Sequence, residues 1–134
     1  MRIKAEDTFA IVIDYQEKIL PAMSEQEELL RKSQILLGGL KALEVPMILT
    51  TQYAKGLGNN IPAITDAMGV TEAIDKNTFS VYDNESVRQA IPHGKKNVIL
   101  CLTIFDGSAG SRLSDHSGGR LCSQQKRQRS CICL

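Results

Sequence analysis

An α/β fold on a parallel sheet is predicted by three features of this chain. Two short apolar runs rich in β-branched residues, at 9–14 and 45–50, flank a stretch of leucines at helical spacing. A strand covered on both faces reads as an unbroken apolar run, which is the pattern of a parallel sheet. The first run, Phe9-Ala-Ile-Val-Ile-Asp14, is therefore the expected first central strand. Ser24-Glu25-Gln26-Glu27 has the form of a capping box, and Leu29, Leu36, Leu40 and Leu43 follow on one helical face, which predicts a helix over about 25–43. Gly38-Gly39 inside it would weaken a free helix, and close packing on the sheet is the expected reason for the pair. Val45-Pro-Met-Ile-Leu-Thr50 then completes a β-α-β unit with a right-handed crossover.

The segment 52–62 is rich in Gly and Asn and follows a strand directly, where such sheets carry ligand loops. A short third strand is expected at 72–75, a short helix at 84–90 and a fourth strand at 96–101, introduced by the Pro92-His-Gly94 turn. After Cys101 the hydrophobic pattern stops. Residues 1–103 read as one incomplete α/β domain, and 104–134 as a non-native, disordered tail.

Length and composition narrow the function classes. A chain of 134 residues supports one core, and a net charge of +1 argues against nucleic acid as a partner. The apolar run near the N-terminus is far short of a membrane span and no signal-peptide pattern precedes it, so a cytoplasmic protein without membrane contact is expected. The four cysteines show neither zinc spacing nor a disulfide framework, and no metal or cofactor is expected. Two features of the tail mimic signals. Lys126-Arg127-Gln-Arg129 lacks the interleaved aromatics of a base-stacking surface, and Cys131-Ile-Cys-Leu134 has the form of a prenylation box.

Four segments carry a family resemblance in their order and spacing. Ile11-Val-Ile-Asp14-Tyr-Gln16, Ile48-Leu-Thr-Thr-Gln52-Tyr-Ala-Lys-Gly-Leu-Gly58, Asp75-Lys76-Asn-Thr-Phe79-Ser80 and Asn97-Val-Ile-Leu-Cys101 together resemble the isochorismatase-like (cysteine hydrolase) family, in particular its isochorismatase-domain-containing branch, over about residues 7–101. The resemblance implies a three-layer α/β/α Rossmann-like parallel sheet, here truncated after the fourth strand. It implies an Asp, Lys and Cys triad in which Asp14 takes the thiol proton, Lys76 favours the thiolate and backbone N–H groups hold an oxyanion. Gln16, Gln52 and Phe79 fall where they would line a small-molecule substrate pocket, and a homo-oligomer is compatible with the family.

The nucleophile does not follow by motif. Where the family carries a segment resembling G-I-E-x-H-x-C, this chain reads Cys101-Leu-Thr-Ile-Phe-Asp-Gly-Ser108-Ala-Gly110, and Cys101 takes the place of the strand residue before the family's glycine. Read through plausible codons in a frame shifted by one base, residues 118–131 become V-E-D-C-V-A-S-R-N-D-N-D-H, and 104–112 become F-L-T-A-V-L-D-L. Both resemble later family segments, which implies a small deletion and frameshift just after Cys101. The expected function is a family hydrolase fragment left inactive by loss of the cysteine segment. Two alternatives stand beside it: a cysteine-independent vinyl ether hydrolase using Asp14 and Lys76, and a non-catalytic binding or oligomerisation module.

Overall fold

The computed structural model describes residues 3–23, 25–103 and 132–133. Its strands are β1 (Thr8–Ile13), β2 (Met47–Gln52), β3 (Ile74–Lys76), β4 (Asn97–Leu102) and the two-residue β5 (Ile132–Cys133). Its α-helices are α1 (Gln26–Ala42), α2 (Ala54–Leu57), α3 (Pro62–Met68) and α4 (Glu85–Ala90). The sheet order is β3-β2-β1-β4-β5. β1 pairs in parallel with β2 and with β4, and β2 in parallel with β3, so β1 is central as its unbroken apolar sequence requires.

Alternation along the strands divides the core into two faces. Ala10, Val12, Leu49, Ile99 and Cys101 point to one side, where Leu37 and Leu40 of α1 and Ile64 and Met68 of α3 cover them. Phe9, Ile11 and Ile48 point to the other, against Val81 and Ile91 that bracket α4. The result is an α/β/α arrangement whose second layer is short. Leu37 is completely enclosed, and its truncation to Ala would cost about 2–5 kcal/mol.

Several expectations shift on contact with the structure. The buried stripe of α1 is Leu29, Ser33, Leu37 and Leu40, with Leu36 half-buried and Leu43 exposed at the C-terminal end. Close packing does not explain Gly38-Gly39, since a Cβ at either position would meet nothing within 4 Å. β2 and β3 each lie about one or two residues later than the apolar pattern suggests, which brings Gln52 and Lys76 into the sheet. Helix α3 carries its own signals, Pro62 at the first turn and Gly69 in the left-handed conformation at the C-cap, that pattern reading missed in the loop-like composition.

The outer edge of β4 is not bare. Leu100 and Cys101 pair antiparallel with Cys133 and Ile132, contrary to the expectation that no strand borders β4 on that side. Ser24 of the capping box, Ser108 and the rest of the expected tail over 104–131 lie outside the described residues. Among the described residues, no helix is long and apolar enough to cross a membrane.

Candidate active site at the carboxyl end of the sheet

Strands β1, β2 and β3 end side by side, and parallel pairing brings their C-terminal residues to one rim. The register pairs Ile13 with Thr50, Thr51 with Asp75 and Gln52 with Lys76. Asp14 is the first residue past β1 and adopts a left-handed backbone, φ 60. Asp tolerates that region better than most residues, because its short side chain bonds locally. Tyr53, the first residue past β2, turns the same way with φ 43. Two non-glycine left-handed residues at adjacent strand ends concentrate backbone strain at this rim.

The turn aims the Asp14 carboxylate across the end of β2. Lys76 Nζ donates to Asp14 Oδ2 at 2.9 Å and to Gln52 Oε1 at 2.6 Å. Thr50 Oγ1 donates to Asp14 Oδ1 at 3.2 Å, and Thr103, just past β4, donates from its hydroxyl to the Asp14 carbonyl at 3.1 Å. The Lys76 side chain is 1% exposed and that of Asp14 18%. A buried ammonium is tolerated only when paired and hydrogen-bonded, and here two of its donors are satisfied by a carboxylate and an amide oxygen. These residues lie 62 positions apart in the chain.

Gln16 is fully enclosed, with its amide engaged by the main chain of the 52–58 segment. Asn60 donates to the Thr50 carbonyl at 3.2 Å, while its Oδ1 is buried with no hydrogen-bond partner among the described residues. Gly58 is held at φ 85, where a side chain would also meet Glu17 Oε2 at 2.8 Å. Phe79 is fully exposed in the segment after β3, and Tyr53 and Tyr82 are also exposed. The structure thus gathers Asp14, Lys76 and Gln52, sets Gln16 beneath them and leaves Phe79 at the surface. Thr50, Thr103 and Asn60 were missed by sequence reading. Thr50 had a usable signal, being two residues from Gln52 and so on the same side of its strand.

Cys101 is a core residue. It is paired with Val12 in β4, 3% exposed, and packed with Tyr15 against the helices of the α1 side. Burial pushes its thiol up to about 11, so it is a neutral thiol near pH 7. Tyr15, hydrogen-bonded to Ser33 at 2.9 Å, is pushed up to about 12 chiefly by its burial.

No family model matches the chain. Isochorismatase domain-containing protein 2 of Danio rerio is 31% identical over 102 residues, covering 75% of this chain and 50% of its own length. The chain therefore spans half the length of that curated relative. The solved structure of the MAR1 ribonuclease from Caenorhabditis elegans superposes with a TM-score of 0.67 at 28% identity, over 76% of this chain and 53% of that one. YcaC from Escherichia coli, described as an octameric hydrolase of unknown specificity, shares the fold at a TM-score of 0.67 and 24% identity, over 78% of this chain and 53% of its own. Over about three-quarters of its length this chain is isochorismatase-like in sequence and in fold.

Proposed function

We propose that the chain carries the charged half of an isochorismatase-like hydrolase site, with Asp14 as proton acceptor and Lys76 as the cation beside it, and that it lacks the thiol that would complete the chemistry. The observation that carries this reading is the enclosed Lys76–Asp14 pair at 2.9 Å, built from two strand ends that the resemblance had singled out. An ammonium and a carboxylate kept together in a nearly dry rim are costly to maintain for stability alone. Their arrangement suits deprotonation of an attacking group and stabilisation of the anion that results.

Cys101 does not fill the missing role, because its side chain sits in the core of the α1 face and its thiol is neutral. Past β4, the sequence offers no segment like the family's nucleophile motif. Losing a nucleophile that acts together with its partners costs about 10⁶ in rate, near 8 kcal/mol of barrier. The thiol-free alternative, protonation of a vinyl ether by Asp14, suits the geometry less well, since both carboxylate oxygens already accept hydrogen bonds.

The test is hydrolysis of a panel of small amides and activated esters by the purified chain, before and after alkylation with iodoacetamide. No thiol-dependent turnover is expected. Substantial turnover abolished by Cys101→Ala would place the nucleophile at Cys101 and overturn the reading. In a repaired chain with the shifted frame and a nucleophile segment restored, Asp14→Asn and Lys76→Ala should each disable hydrolysis.

A further inference from the structure

We infer that Gln16 is a positioning residue for Lys76, acting through the end of β2 and not through contact with a ligand. This rests on the Asp14–Lys76 pair being the working site proposed above. β1 stops at Ile13, whose register partner is Thr50, so the last two residues of β2 run past their neighbouring strand. The main chain of Gln52 would there lack a sheet partner on the β1 side. The side-chain amide of Gln16 supplies one: Oε1 accepts from the Gln52 N–H at 2.7 Å, and Nε2 donates to the Gln52 carbonyl at 3.0 Å. A primary amide has the donor and acceptor of a peptide group, and in this position it extends the sheet by one rung.

The second Nε2 proton donates to the Gly58 carbonyl at 2.6 Å, tying the loop after α2 to the same point. An antiparallel bridge joins the Gln16 and Asn60 main chains, and the Asn60 amide holds the Thr50 carbonyl two residues before Gln52. Every polar atom of the Gln16 side chain is thus committed to main chain, and none of it is exposed. What it controls is the direction in which Gln52 leaves β2. The Gln52 side chain reaches Lys76 Nζ at 2.6 Å, and Lys76 reaches Asp14. The chain of contacts runs from Gln16 to the Gln52 peptide, then to the Gln52 side chain and the ammonium.

A plug that merely fills space would leave the ammonium unaffected, so the ammonium is what should be measured. In ¹⁵N-labelled full-length protein, the Lys76 Nζ protons are expected to give a signal near neutral pH, protected from water exchange by Asp14 and Gln52. Gln16→Met keeps the length of the side chain and removes its amide. It should speed Lys76 ammonium exchange by about tenfold, the protection that one hydrogen bond provides. Gln52→Met should do the same, and Gln52→Glu, which keeps an acceptor for the ammonium, should restore protection. Should Gln16→Met fail to fold, Gln16→Glu decides: it keeps the acceptor for the Gln52 N–H but cannot donate to either carbonyl, and exchange at least about threefold faster is expected. A Lys76 signal that is unchanged in the folded Gln16 variant, or one exchanging in the parent protein as freely as a surface lysine, overturns the inference. The measurement needs no substrate, so an outcome of no turnover leaves it intact, and a failed relay leaves the hydrolase reading to its own assay.

Discussion

Replacing Asp14 with Asn isolates the charge of the buried pair from its shape. Asn has the same volume, keeps an acceptor oxygen for Thr50 and tolerates the left-handed backbone that residue 14 adopts, so steric and strain effects are small. What is lost is the anion 2.9 Å from Lys76 Nζ. At that separation and an effective dielectric near 20, the Coulomb attraction is about 6 kcal/mol. Part of it is offset by the remaining exposure of Asp14, and Gln52 still solvates the ammonium, which brings the expected loss near 3 kcal/mol, the lower end for breaking a buried pair. Lys76→Met should cost less, because Asp14 retains some access to water. The double variant Asp14→Asn/Lys76→Met should recover much of the loss, since no charge is then left without its partner. Urea unfolding of the four proteins gives the coupling energy from the midpoints at constant slope. Single-variant losses below about 1 kcal/mol that simply add in the double variant would refute the description of Lys76 as a desolvated, carboxylate-dependent cation.

The remaining expectations concern the core and the helix. Cys101 should resist iodoacetamide at pH 8 in the folded chain and react once urea unfolds it; labelling at equal rates in both states would contradict its burial. Cys101 and Tyr15 hold their protons more tightly folded than unfolded, with thiol and phenol raised to about 11 and about 12 from 9.0 and 10.0. The stability they contribute is therefore complete below about pH 9 and is lost as pH rises through about 11 to 12. Urea midpoints that stay level from pH 8.5 to roughly 11 would show that these groups titrate freely. Gly38→Ala and Gly39→Ala should each raise stability by about 0.5–1 kcal/mol, because both lie inside α1 with open space at the missing Cβ. A loss in either variant would mean that another surface packs there. Sequencing of the coding DNA around codon 101 is expected to show the small deletion that the shifted reading implies, and an uninterrupted native frame would remove it.

The central strands were legible because residues buried on both faces leave little freedom of composition: β1 and β4 lie within about a residue of their apolar runs. Asp14 and Lys76 were legible through motif order, and the contact between them was implied but not measurable until the register of β2 with β3 was known. The leucine face of α1 was placed partly wrong because both Leu36 and Leu37 fit a helical repeat, and only the direction of the neighbouring sheet decides which is enclosed. The 52–62 loop hid α2 and the first residue of α3, since Gly, Asn and Pro serve equally as turn residues and as helix ends. Gln16 and Gln52 read as pocket-lining polar residues at strand ends. Nothing in their spacing reveals that one amide serves the main chain of the other, because that contact spans 36 residues.

The sheet order also bears on where a ligand of the proposed site would bind. The chain leaves β1 toward β2 on one side, whereas β4 lies on the other, so the connections part at the C-terminal ends of β1 and β4. Ligands in open α/β sheets bind at such a switch point, outside the carboxyl ends of the strands. Asp14 stands on one bank, and Thr103, bonded to its carbonyl, stands on the other. The charged pair is built from the ends of β1, β2 and β3, and β4 supports it through its ladder with β1 and through the Thr103 hydroxyl on the Asp14 carbonyl. A reactive group presented by whatever follows Leu102 would meet a carboxylate and an ammonium already in position. On the proposed reading, preorganisation of this kind is what an enclosed Lys76–Asp14 pair would offer to a reacting group. It also gives Thr103 a specific role. Thr103→Val should leave the Lys76–Asp14 pair in place but loosen the Asp14 peptide from the β4 rim, seen as amide exchange at residues 14 and 15 faster by about threefold to tenfold, the loss of one hydrogen bond. Unchanged exchange there would show that the left-handed turn at Asp14 holds itself without β4.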